Sequence, residues 1–135
     1  MTNFSYEYTV TMGDVNAMGN FYFLKYFELQ GHVRELWLKH DIPNCLEVLN
    51  HHLLSTKSAH CDFKVPFFLY DIIVVKMFTT DVQRVSAKLH FHFYLKGNDS
   101  LRASGYQMVV CKDKDRKTCR MPVSLVNALK ALLIH

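Results

Sequence analysis

The chain has 135 residues, of which half are apolar and 21% are charged, with a formal net charge of +4 at pH 7. This length and composition favour a single globular domain over residues 1–135 and exclude a disordered or fibrous chain. The chain contains no apolar run of the roughly 18 residues needed to span a bilayer, and no basic, apolar leader at its start. We therefore expect a cytoplasmic protein that does not bind membranes.

The cysteines and histidines lack the spacing of a metal site. No HExxH pattern or comparable ligand set is present, although His90 and His92 alternate along one predicted strand. Widely separated cysteines fit reduced thiols better than a zinc knuckle or a redox pair. The four are Cys45, Cys61, Cys111 and Cys119. We predict no metal site.

The first half of the chain predicts a strand, a polar loop and a long helix. Apolar residues alternate over residues 4–11, as in a strand with one buried face. A glycine-bracketed polar loop, residues 13–20, leads into residues 21–40, where apolar side chains occur almost all round a helix. Pro43 ends this helix, because proline disfavours helical geometry in the residue before it. Residues 44–50 add a helical turn.

The second half predicts consecutive antiparallel strands. The clearest shows strict alternation, with Ala87, Leu89 and Phe91 on one face. The four strands are residues 53–64, 71–80, 84–95 and 101–112. A closing helix is expected at residues 124–134, with Ser124 as its capping residue after Pro122.

These elements predict an α+β fold, in which a curved antiparallel sheet wraps a long central helix. An open curved sheet has two edge strands with unpaired backbone groups. Pairing such edges across a two-fold axis is a common way to satisfy them, so the sequence favours a homo-oligomer.

The polar loop and the helix that follows form the candidate site. Side chains four residues apart are neighbours on a helix, so Tyr26, Gln30 and Arg34 form one ridge, which Tyr22 extends towards the loop. This ridge can line one wall of a cleft, with Gly31 leaving room for a ligand. A solvent-exposed helix end would show the same polar residues.

Several familiar chemistries lack their motifs. The chain has no GxSxG elbow, no P-loop and no GxGxxG sequence. Cys61 follows His60 directly, but neighbours on a strand point to opposite faces, which argues against a cysteine nucleophile paired with that histidine.

Positive charge is concentrated near the C-terminal end of the last predicted strand. It is carried by Lys112, Lys114, Arg116, Lys117 and Arg120, diluted by two aspartates. Two interpretations remain open: a solvated hairpin tip, or a patch that binds phosphate or an acidic partner. Nucleic acid is not expected, because no RNA-binding or helix-turn-helix motif accompanies the charge.

The sequence resembles the hot-dog-fold acyl thioesterases of the 4-hydroxybenzoyl-CoA thioesterase type, and within them the thioesterases of enediyne polyketide biosynthesis. The likeness covers most of the chain. It is most specific in Asp14-Val15-Asn16-Ala17-Met18-Gly19-Asn20-Phe21-Tyr22-Phe23, then Tyr26, Gln30-Gly31-His32 and Arg34-Glu35. Looser likeness continues in residues 60–63, 103–107 and 120–123.

The resemblance implies which residues act. The broader family has a carboxylate three residues before the glycine, as nucleophile or base, but this chain has Asn16 there, as in the enediyne branch. The functional trio of that branch falls on Asn16, Tyr26 and Arg34. Pro66 stands where many relatives carry an acidic residue, which argues further against a carboxylate mechanism.

The implied function is hydrolysis of a polyketide or other long acyl thioester on an acyl carrier protein or CoA, without a cofactor of its own. Arg34 would stabilise the oxyanion and Asn16 would donate to the carbonyl or orient a water molecule. We expect substrate contacts from Gly19, Tyr22, Gln30, Lys114, Arg116 and Lys117. A dimer of dimers with the site at a subunit interface is implied.

Two alternatives remain open. A non-catalytic domain that binds acyl thioesters would explain the missing carboxylate. A dehydratase of the same fold would need a histidine and an acid in one pocket, for which the sequence offers His32 with Asp14 or Glu47.

Overall fold

The computed structural model describes residues 3–134, whose helices and strands follow the predicted order. A short 3-10 helix, Met12–Asp14, precedes the long helix. The other elements are β1 (Phe4–Thr9), α1 (Phe23–Asp41), α2 (Cys45–Leu49), β2 (Leu53–Phe63), β3 (Ile72–Thr80), β4 (Ser86–Leu95), β5 (Ser100–Lys112) and α3 (Val123–Ala131).

The predicted bounds were wrong at several element ends. Helix α1 begins at Phe23 rather than at residue 21, because Phe21 is still extended and its N–H donates to the Phe67 carbonyl at 2.8 Å. Strand β1 ends at Thr9, just before the 3-10 turn. Helix α3 ends at Ala131, and its N-cap is Pro122, so Ser124 does not cap it.

The five strands form one antiparallel sheet in the order β1-β3-β4-β5-β2. Strands β1 and β2 are therefore its edges. Strand β2 pairs with β5 along its length, with a register shift between Thr56 and Ser58, and its other edge is unpaired within the described chain.

The core lies between α1 and the inner face of the sheet. Alternate residues of β4 are fully buried on that face, as the sequence predicts. Helix α1 contributes Leu29, Val33 and Trp37 to the same core. Helix α3 is tied to β3 where the Thr79 hydroxyl donates to the Leu129 carbonyl at 2.7 Å. No helix in residues 3–134 is long and apolar enough to cross a membrane.

Candidate active site

The polar loop is a tight hairpin in which Asn16 begins the turn. The Asn16 N–H donates to the Asn20 carbonyl at 2.8 Å, and Gly19 has a φ of +82°, which only glycine adopts without strain. The Asn16 side-chain oxygen accepts from the N–H groups of Met18 and Asn20 at 3.0 and 3.1 Å. The side-chain oxygen of the exposed Asn16 is therefore already hydrogen-bonded within the loop. The side-chain nitrogen is the group that can donate to a ligand.

Asp14 stabilises the base of this loop. Its buried carboxylate accepts from the Thr11 N–H at 2.9 Å, from the Thr11 hydroxyl at 3.1 Å and from the Tyr8 hydroxyl at 2.8 Å. Burial opposes its ionisation, but these hydrogen bonds and the Lys25 ammonium at 3.9 Å outweigh burial and lower the pKa of Asp14 below its ordinary value. Asp14 is therefore an ionised structural group with its oxygens engaged.

In the middle of the α1 ridge, Tyr26 and Gln30 face the sheet rather than an open cleft. Tyr26 is 2% exposed, and its ring packs edge-on against Phe21 and Phe63 at centroid distances of 4.9 Å. Burial raises the pKa of Tyr26 to about 12, so its phenol keeps its proton and can act only as a neutral donor or acceptor.

Gln30, the next residue of the ridge, is fully buried. Its amide nitrogen donates to the His60 carbonyl at 3.1 Å, and its amide oxygen accepts from Gln107 at 3.3 Å. Both ends of the amide are thus used inside the protein. Tyr22, in contrast, is exposed just before α1.

Arg34 ends the ridge and binds the start of β2. Its Nη1 donates to the Thr56 hydroxyl at 2.7 Å and to the Gln107 side-chain oxygen at 2.9 Å, and its Nη2 donates to the Leu54 carbonyl at 2.7 Å. Within residues 3–134, its buried Nε has no hydrogen-bond partner, and the Glu35 carboxylate lies 3.9 Å from it. Burial lowers the pKa of Arg34, with Glu35 opposing the shift, but an arginine remains charged.

A cavity of about 680 Å³ extends along α1 from Asp14 to Arg34. Arg34 and Gly31 line it, whereas Asn16, Gly19, Tyr22, Tyr26 and Gln30 do not. Its other lining residues include Tyr8, Lys25, Phe27, His32, Thr56 and Gln107. A single copy of the chain therefore does not bring Asn16, Tyr26 and Arg34 together in one cavity.

The sequence reasoning missed the two lining residues whose side chains bind Arg34, Thr56 and Gln107. Gln107 is 5% exposed and lies on the inward face of β5, between buried Gly105 and Val109. Gln107 is the single amide among otherwise apolar residues on the inward face of β5. Because a buried polar group needs a hydrogen-bond partner, this pattern could have identified Gln107 from the sequence.

The basic segment is the tip of a hairpin. Lys114, Arg116 and Lys117 are exposed there, outside the cavity lining. The Asp113 carboxylate accepts from the Asp115 and Lys117 N–H groups at 2.9 and 3.0 Å, so this acid shapes the turn. Both earlier interpretations, a solvated tip and a docking patch, are compatible with this geometry.

The four cysteines are free thiols. Cys61 is buried whereas His60 is exposed, as expected of strand neighbours on opposite faces. Burial raises the pKa of Cys61 to about 12. Cys111 and Cys119, eight residues apart in the chain, lie with their sulfurs 3.6 Å apart. No group of three or more metal-ligating side chains occurs in residues 3–134.

Comparison with known proteins identifies the class to which this fold belongs. The dynemicin thioesterase, solved in a study of polyene binding, superposes with a TM-score of 0.90 at 25% identity, covering 98% of this chain and 99% of that one. A 1,4-dihydroxy-2-naphthoyl-CoA thioesterase from Synechocystis gives a TM-score of 0.84 at 22% identity, covering 95% and 96%. A Staphylococcus aureus protein in complex with CoA gives 0.88 at 16% identity, covering 96% and 83%. No curated protein sequence matches significantly.

The architecture, a long helix wrapped by a five-stranded antiparallel sheet, is the hot-dog fold of the thioester hydrolases. Residues 10–129 match the model of the Thioesterase-like superfamily, and the chain belongs to that family. Acyl thioesterase activity follows at the level of the family.

Proposed function

We propose that the protein hydrolyses a polyketide or other long acyl chain from the phosphopantetheine thioester of an acyl carrier protein or CoA. Two similarities support this choice of substrate. The dynemicin thioesterase, 25% identical, was studied with a bound polyene, and a protein of the same fold was solved with CoA. The chain would thus release a carboxylic acid and a free thiol.

The observation that carries the proposal is the environment of Arg34. Its guanidinium binds three neutral acceptors beside the cavity, and no carboxylate lies within hydrogen-bonding distance. The nearest carboxylate, that of the exposed Glu35, lies 3.9 Å from Nε, and a largely buried cation held mainly by neutral acceptors favours negative charge beside it. The tetrahedral intermediate of thioester hydrolysis develops such a charge on the carbonyl oxygen, and Arg34 would stabilise it.

Asn16 would position the thioester carbonyl or the attacking water. Its free amide nitrogen would donate to the thioester carbonyl or to the attacking water, since its oxygen is already bonded within the loop. An amide cannot act as a general base or a nucleophile. Asp14 is also unsuited to be the base, because its oxygens accept hydrogen bonds from Thr11 and Tyr8. Tyr26 would contribute its phenolic hydrogen as a donor.

A homodimer would bring the separated groups together. The outer edge of β2 is unpaired within residues 3–134, and Lys57, Ser58 and Ala59 are exposed along it. Antiparallel pairing of two such edges about the middle of β2 places the Phe63 end of one copy beside the Leu53 end of the other. Arg34 binds the strand near its Leu53 end.

Apolar surface at the other end of β2 supports the same interface. Phe23 and Phe63 are 51% and 49% exposed and contact each other at 6.5 Å between ring centroids. Met18, within the Asn16 loop, and Tyr22, just after it, are also exposed. Pairing of β2 edges would therefore cover apolar surface and bring the Asn16 loop of one copy towards Arg34 of the other. A dimer of dimers is the assembly we propose, following the resemblance.

The decisive experiment measures thiol release from long-chain acyl-CoA and acyl-carrier thioesters. For Arg34→Ala we expect a loss of kcat on the order of 10²–10³-fold, the usual effect of removing an oxyanion donor. Arg102→Ala is the matched control, because Arg102 also donates to a carbonyl, that of Pro66 at 2.8 Å, but does not line the cavity. Turnover that is insensitive to Arg34→Ala, or no turnover of any thioester by the wild type, would overturn the proposal.

One observation favours a second candidate. His32 and Asp14 both line the cavity, as a dehydratase of this fold would need, and Glu47 lies on α2 outside it. The hydrogen bonds from Thr11 and Tyr8 to Asp14 count against this candidate. Incubation with a 3-hydroxyacyl thioester separates the two reactions, because hydrolysis releases free thiol and dehydration gives an enoyl thioester. Binding without either product would indicate a non-catalytic acyl-binding domain.

A further inference from the structure

Gln107 projects from the inner face of β5 towards Arg34, and it was not among the residues that the sequence assigned to the site. We propose that Gln107 is a positioning residue, which fixes the Arg34 guanidinium in the cavity without placing a negative charge against it. This inference rests on the proposed thioesterase function, in which that charge stabilises the oxyanion.

A directional chain of hydrogen bonds carries the inference. The His60 carbonyl can only accept, so it sets the Gln30 amide with its nitrogen towards His60, at 3.1 Å. The Gln30 oxygen is then left to accept from the Gln107 nitrogen at 3.3 Å. The Gln107 oxygen consequently faces Arg34 and accepts from Nη1 at 2.9 Å. Each of the two amides thus has one allowed orientation, and the side-chain oxygen of Gln107 faces Arg34.

Gly105 makes room for this chain. It lies opposite Cys61 in the β2–β5 pairing, directly beneath the Gln30 amide. A Cβ atom at Gly105 would lie 2.4 Å from Gln30 Nε2, too close for a real contact. The absence of a side chain at Gly105 therefore allows Gln30 to lie between His60 and Gln107.

The neutrality of Gln107 matters as much as its position. A glutamate at this site would preserve the shape and the contact with Arg34. Its carboxylate would also form a direct ion pair with the guanidinium, and a compensated cation stabilises a developing oxyanion less. The glutamate would also place an acceptor oxygen against the side-chain oxygen of Gln30, which needs a hydrogen-bond donor. Glutamine satisfies both neighbours at once.

The test compares Gln107→Glu and Gln107→Met with Gln83→Met, a control at an exposed glutamine between β3 and β4. We expect kcat to fall on the order of 10²-fold for Gln107→Glu and about 10-fold for Gln107→Met, with KM unchanged, because the charge acts in the transition state. We expect Gln83→Met to keep the wild-type kcat and KM. Wild-type kcat in both Gln107 variants would overturn the inference.

A second readout does not depend on turnover. In ¹⁵N-labelled protein, hydrogen exchange of the Arg34 Nε–Hε group reports how firmly the guanidinium is held. We expect faster exchange in Gln107→Met and unchanged exchange in Gln83→Met; equal rates in the two variants would overturn the inference. If the wild type hydrolyses no thioester, the proposed function fails, while this measurement still decides whether Gln107 positions Arg34.

Discussion

The Tyr8 hydroxyl lies 2.9 and 2.8 Å from the two carboxylate oxygens of Asp14 and links β1 to the loop that carries Asn16. Burial, reinforced by the hydrogen bond to the Asp14 carboxylate, raises the pKa of Tyr8 to about 12, so the phenol remains a donor. The pair therefore stabilises the loop that carries Asn16 as long as Asp14 is ionised.

Replacing Asp14 with asparagine should destabilise the fold in a pH-dependent way. The folded-state pKa of Asp14 lies below its unfolded value, so its ionised form stabilises the protein above the unfolded pKa. That contribution is lost as the pH falls through the folded pKa. We expect Asp14→Asn to cost about 1–3 kcal/mol near neutral pH, and less in acid.

Urea unfolding of the wild type and Asp14→Asn over a pH series measures this difference. Asp62→Asn is a suitable control, since Asp62 is an exposed carboxylate whose contact in the described chain is the His60 imidazole at 3.1 Å. A destabilisation by Asp14→Asn that stayed constant down to strong acid would contradict the assigned role of the carboxylate.

Gly105→Ala should destabilise the protein even though it adds only a methyl group. The new Cβ would lie 2.3 Å from the His60 carbonyl oxygen, which is backbone and cannot move cheaply, so we expect a loss of about 1–3 kcal/mol. Gly31→Ala provides the contrast, because a Cβ there meets nothing within 4 Å. In the middle of α1, that change should stabilise by roughly 0.5–1 kcal/mol. Thermal unfolding of both variants tests the pair; equal shifts would contradict the close approach at Gly105.

Tyr26→Phe separates the packing of Tyr26 from its hydroxyl. The ring contacts with Phe21, Phe63 and Phe93 should survive, so the melting temperature should change little. If the hydroxyl donates to the substrate, kcat should fall by roughly 10²-fold, as for loss of a transition-state donor. Since the pKa of Tyr26 is about 12, its ionisation should add no limb to the wild-type pH–rate profile below about pH 10. Full activity in Tyr26→Phe would show that the residue serves only the core.

The sequence predicted the elements of this fold well because their patterns are local. The alternation of apolar and polar residues in β4, and the apolar residues around α1, both indicate directly which side chains are buried. The loop around Asn16 was likewise recognisable from its glycines. Bounds such as the start of α1 at Phe23 depend on the distant Phe67 carbonyl, which no local pattern reveals.

The site was harder to predict because its geometry depends on packing between distant segments. Four-residue spacing placed Tyr26, Gln30 and Arg34 on one ridge, but it could not show that the middle of this ridge faces the sheet. Gln107 lies 73 positions from Arg34 in the chain, and only the antiparallel register of β5 with its neighbours brings the two side chains into contact.

The basic hairpin tip should determine how the substrate carrier is recognised. Lys114 and Lys117 are exposed and lie outside the cavity, so Lys114→Gln/Lys117→Gln should leave kcat unchanged and weaken binding of an acidic carrier surface. At about 0.2–1 kcal/mol for each exposed ionic contact, the KM for an acyl-carrier substrate should rise several-fold at low salt, and the effect should shrink as salt is added.

A matched variant, Lys39→Gln/Lys96→Gln, removes the same charge from exposed positions elsewhere. A parallel rise in KM for acyl-CoA would assign the patch to the pyrophosphate, and unchanged KM for both substrates would show that it is only a solvated turn.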